Sequence, residues 1–60
     1  MSELIEIATD EKGVELWREP YMYKNLSKPN ERFRRNSIDY IVISCVKIAN
    51  EVNTVVRSLS

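Results

Sequence analysis

The side chains with chemistry to offer fall in two places along this 60-residue chain. One is a lone thiol, Cys45; the other is a basic run, Lys24, Lys28, Arg32, Arg34 and Arg35, with Tyr21, Tyr23 and Phe33 interleaved. A nucleophilic cysteine needs an exposed, electropositive setting and a nearby base. The chain has no histidine, the commonest general base near neutral pH, and Cys45 stands between Ser44 and Val46 in an apolar stretch. It reads as a small buried residue. One cysteine without histidine leaves no zinc site, and a single glycine, Gly13, makes no phosphate-cradling loop. The sequence is therefore that of a non-enzymatic protein with no metal and no cofactor.

The basic run admits two duties. Bases among aromatic rings can contact phosphates and stack on bases, which would make residues 24–35 the contact segment of a small oligomeric nucleic-acid-binding protein, such as a transcriptional regulator. The other duty is balance. Residues 1–20 hold six acids against Lys12 and Arg18, whereas residues 21–60 hold seven bases against Glu31, Asp39 and Glu51. On that reading the bases meet the acidic half of the same or a neighbouring chain. Trp17, Tyr21, Met22 and Tyr23 form a second cluster, of a composition enriched where proteins touch.

Three elements must position these groups. Residues 4–17 predict a β-hairpin, two partly alternating apolar runs around Asp10-Glu11-Lys12-Gly13, with glycine closing a four-residue loop at positive φ. Pairing Thr9 with Val14 would set Ile5, Ile7, Val14 and Leu16 on the packed face and leave Glu6, Ala8, Glu15 and Trp17 wet. Pro20 ends the second strand, since it cannot donate to a ladder. Residues 18–36 are then a basic and aromatic connection. From Ser37 onward, Ile38, Cys45, Val52 and Leu59 recur every seven residues, with Ile41, Ile48 and Val55 three after the first three and Val42 beside them. That spacing predicts one amphipathic helix over 37–59, N-capped by Ser37. Residues 40–46 also suit a strand, being rich in β-branched side chains, but the seven-residue recurrence favours helix.

The fold class expected from the sequence is thus α+β: a single small ββα domain over residues 1–60. Such a chain buries only about 60% of its unfolded surface, and one cysteine rules out an internal disulfide. Oligomerisation remains, with Ile38, Ile41, Val42, Cys45, Ile48, Val52, Val55 and Leu59 as its interface. The function expected is that of a regulatory or adaptor protein that binds itself, as a homodimer or higher oligomer, and another protein. Nucleic acid is the alternative partner. No apolar run approaches the roughly 20 residues of a membrane span, and Glu3 and Glu6 stand where a signal peptide carries bases. A cytoplasmic location is expected, with no membrane partner.

Overall fold

The computed structural model describes residues 3–22 and 25–59. Their secondary structure is five strands: β1 (Ile5–Thr9), β2 (Glu15–Pro20), β3 (Arg32–Arg35), β4 (Ile38–Ile48) and β5 (Glu51–Ser58). They form one sheet in the order β2-β1-β5-β4-β3, curled into a half-barrel. Neighbours pair antiparallel except β1 and β5, which run parallel at the centre. No helix occurs among the described residues.

This overturns the α+β expectation and the amphipathic helix over 37–59. The segment is instead a long hairpin, β4 and β5, joined by Ala49 and Asn50 between the paired residues Ile48 and Glu51. β-Branched residues lose side-chain freedom in a helix and pack well on a pleated surface. Residues 38–56 carry ten of them, in Ile38, Ile41, Val42, Ile43, Val46, Ile48, Val52, Thr54, Val55 and Val56. In a stretch this rich in apolar residues, a seven-residue recurrence can arise without a helix. The true period shows in β5, where Val52, Thr54 and Val56 are buried and the residues between them are not.

The turns show how the local sequence sets this topology. Asn36 and Ser37 join Arg35 to its partner Ile38, and both have positive φ, 51° and 67°. That is the sign pattern of a type I′ turn, whose twist matches a hairpin. Ser37 is therefore a turn residue and not a helix cap. Lys28-Pro29-Asn30-Glu31 closes with Glu31 N–H donating to the Lys28 carbonyl at 3.2 Å, and Asn30 has φ of 70°. Proline followed by a residue at positive φ is the signature of a type II turn.

The expected first hairpin is present, with Gly13 at φ of 85° and Asp10 Oδ1 accepting from the N–H groups of Lys12 and Val14. Its register differs from the expected one. A bulge beside Thr9 pairs it with Glu15, and Ala8 lies opposite Trp17 and Glu6 opposite Glu19. Side chains at paired positions share a face, so Glu6, Ala8, Trp17 and Glu19 lie together, and through β5 they join Val52, Thr54 and Val56. This is the concave side, and it includes the residues the sequence assigns to water. The core is small: Ala8, Val42, Val52 and Val56 are all but fully buried, and Thr54 is the one buried polar residue among those described.

Candidate functional site

β2 and β3 are the two outer strands of the sheet, and no ladder joins them. The curl nonetheless brings their concave side chains into contact. The Trp17 ring meets Phe33 edge-on at 5.9 Å and Tyr40 at 5.4 Å, while Phe33 stacks on Tyr40 at 5.4 Å. The Arg35 guanidinium lies 4.5 Å from the Trp17 ring centroid and donates to both Glu19 oxygens, at 2.8 and 3.1 Å. A cation over an indole face is attracted by the ring quadrupole, and a two-pronged arginine–carboxylate pair fixes orientation as well as distance. The hydrogen bond to Glu19 holds the Arg35 pKa above its ordinary value. These contacts close the half-barrel by side chains alone.

Beneath them lies a cavity of about 610 Å³, lined in part by Glu6, Trp17, Glu19, Phe33, Arg35 and Thr54. Glu6 holds its inner wall. It accepts from Trp17 Nε1 at 3.1 Å and from Thr54 Oγ1 at 3.2 Å, and Thr54 Oγ1 is 3.5 Å from Cys45 Sγ. Cys45 is half-buried within this network. Among the described residues no group of three or more histidine, cysteine, aspartate or glutamate side chains is arranged to hold a metal ion.

Tyr21 anchors the segment that leaves β2. Its N–H donates to the Leu4 carbonyl at 2.9 Å and its hydroxyl to the Asn25 carbonyl at 2.6 Å, and the side chain is buried. Desolvation by burial raises its phenol pKa above the ordinary value of about 10. The folded state therefore holds this proton more tightly than the unfolded chain does. The resulting stability is complete below the unfolded value and is lost as pH rises through the folded one. Urea titrations of the wild type should show stability falling as pH climbs above about 10. Tyr21→Phe should show a shallower fall, and parallel profiles would contradict the assignment.

The structure disperses the other residues singled out by sequence. Of the aromatic cluster, Trp17 and Tyr21 face inward, Met22 is 88% exposed, and Tyr23 lies outside the described residues. Of the basic run, Lys24 also lies outside them, and Lys28 sits in the turn before β3. Arg35 points inward to Glu19, Arg34 pairs with its cross-strand neighbour Asp39 at 3.4 Å, and Arg32 is exposed with no ion pair among the described residues. Arg57 binds Glu11 through two contacts of 2.8 Å, which lowers the Glu11 pKa. The basic half and the acidic half thus meet within one chain, at Arg35–Glu19 and Arg57–Glu11. The second pair is exposed, so its worth to stability is small.

The eight seam residues do not share a face. Ile38, Val42, Cys45 and Val52 lie on the concave side, while Ile41, Ile48 and Val55 lie on the convex side, and Leu59 follows β5. A bulge in β4 after Val42 adds Ile43 to the convex set. Ile5, in β1, joins them through its partner Glu51, which pairs with Ile48. Ile5, Ile43, Val46 and Ile48 are 40%, 38%, 51% and 60% exposed. Ile5, Ile43 and Val46 were missed as contact residues, although alternation of period two on either side of the bulge would have grouped them. Ile7, on the same face, is buried.

The chain matches no known family. Comparison with protein-family models, with curated proteins and with solved structures finds no match. The site's chemistry must therefore be read from its own geometry. No helix of the described residues is long and apolar enough to cross a membrane, a statement that does not bear on β-barrels.

Proposed function

We propose that this chain is a small non-enzymatic regulatory or adaptor protein that acts by binding protein, a second copy of itself included. The observation that carries the reading is the convex face of the sheet, where Ile43, Val46 and Ile48 follow one another along β4 and Ile5 lies beyond Glu51, all partly exposed to water. Single exposed apolar residues are ordinary; a contiguous group on one face marks a contact surface. The basic segment lends less to a nucleic-acid reading, because Arg34 and Arg35 are engaged with Asp39 and Glu19. Phosphate contact would have to break those pairs.

The test sets two measurements side by side. Wild type and a Val46→Glu/Ile48→Glu double variant are immobilised and exposed to an extract of the source cells. Proteins held by the wild type and lost from the variant are the expected result, and the same set on both would overturn the reading. Duplex DNA and single-stranded RNA are titrated at two salt concentrations, and no binding is expected. Binding that weakens steeply with salt would favour the nucleic-acid alternative instead.

A further inference from the structure

We propose that the open edge of β4, residues 44–48, pairs antiparallel with the same edge of a second copy, placing Val46 opposite Val46 on a two-fold axis. The proposal rests on the protein-binding reading and names the partner and the register. β3 pairs with β4 only from Ile38 to Ile41, and the approach to β3 adds one further rung. There Asn30 N–H donates to the Val42 carbonyl at 2.7 Å, and Val42 N–H donates to the Glu31 carbonyl at 2.8 Å. Beyond Val42 no strand of the described residues covers that side of β4.

Which backbone groups face the gap follows from the ladder. Ile48 and Glu51 flank a two-residue loop, so their N–H and C=O groups point at each other. Alternating back along β4, Val46 and Ser44 also bond toward β5, leaving Cys45 and Lys47 to present theirs outward. An antiparallel copy can satisfy all four groups at once if Cys45 lies opposite Lys47 of the second copy and the reverse. Val46 then faces itself, and Ser44 faces Ile48.

Two neighbouring registers keep the hydrogen-bond phase, and both are worse. Sliding one way sets Lys47 against Lys47, like charges directly opposite. Sliding the other way sets Lys47 against the bulged residue Ile43, where regular pairing fails. The chosen register is bounded by the bulge at one end and the Ala49-Asn50 turn at the other, and it buries Val46 and Ile48. The remaining edges are guarded as natural sheets guard them: β2 ends in Pro20 and carries Arg18, and β3 is Arg-Phe-Arg-Arg.

A second copy suits this edge for two reasons. The chain's net charge is zero, so two copies meet without global repulsion. Its core is small, and a chain of this size without an internal disulfide is commonly completed by oligomerisation.

Sedimentation equilibrium over a range of concentrations should show a reversible dimer. Lys47→Pro removes an N–H that the chain itself does not use, as edge positions tolerate, and it should weaken dimerisation at least about tenfold, the equivalent of roughly 1.4 kcal/mol, with the strand spectrum unchanged. In a Cys45→Ser background, Val46→Cys should oxidise to a linked dimer. Directly opposed residues of a non-hydrogen-bonded pair lie about 4.5 Å apart at Cα, within disulfide reach. A wild type that is monomeric at every concentration would overturn the proposal. So would a dimer in which Lys47→Pro has no effect and Val46→Cys fails to link. A monomer that still captures partners through Val46 and Ile48 would sink this inference while leaving the adaptor reading intact.

Discussion

Trp17→Ala is expected to remove about 3 kcal/mol of the chain's stability, whereas Trp17→Phe keeps the sheet with a smaller loss. Replacing a buried tryptophan by alanine costs about 3–5 kcal/mol, and Trp17 is half-buried, which places it toward the lower end. At roughly 0.05–0.15 kcal/mol per residue, this chain holds about 3–9 kcal/mol in all. One substitution therefore consumes between about a third of the reserve and all of it. The position matters beyond its area, because Trp17, together with the Arg35–Glu19 pair, joins outer strands that share no ladder. Its loss removes two edge-to-face ring contacts, the seat of the Arg35 guanidinium and the donor to Glu6. Phenylalanine restores the apolar contact but leaves one Glu6 oxygen without its indole donor. Circular dichroism with urea titration reads all three proteins. A Trp17→Ala midpoint equal to that of wild type would show that the aromatic contact is not what closes the half-barrel.

The same residue shows how far the sequence could be read. Gly13 after Asp10-Glu11-Lys12 marks the first hairpin, and Pro20 marks its end. The two-residue shift in register leaves each side chain on its expected face. A tally of apolar residues misses that the face of Glu6, Ala8 and Trp17 lines the curl, while Ile7 on the other face is buried as expected. Glu6 and Trp17 look wet in a tally of residue types, yet each satisfies the other's polar group inside the curl. The charge asymmetry was legible as balance, and Arg35–Glu19 is one of the contacts that supplies it. The partner could not be chosen from sequence, since it depends on a curl that brings β2 to β3. The second half failed for another reason. Turns usually announce themselves by glycine, proline or Asn-Gly, and the β4–β5 turn is Ala49-Asn50. With no visible break, residues 37–59 read as one element, and one element of that length is helix before it is strand. Ile38, Ile41, Cys45 and Ile48 then fitted a seam that the pleat divides between two faces.

Position 49 separates the two architectures by the sign of a stability change. Ala49 has φ of 54°, and of the two loop residues only it is positive, the pattern of a type II′ turn that prefers glycine first. An L-residue in the left-handed region is strained by about 1–2 kcal/mol, and glycine relieves this at some cost in unfolded-state entropy. Ala49→Gly should therefore stabilise the chain by about 1 kcal/mol. In the interior of a helix over 37–59 the same change would destabilise it by about 1 kcal/mol. Ala49→Pro sets the opposite extreme. Proline fixes φ near −65°, so it cannot enter the turn, and the hairpin that supplies Val42, Val52 and Val56 to the core must open. A loss of about 3 kcal/mol or more is expected, which puts the glycine and proline variants about 4 kcal/mol apart. Urea midpoints at equal protein concentration measure the series. A destabilised Ala49→Gly would return the segment to a helix, and with it would go the open edge of β4 on which pairing with a second copy depends.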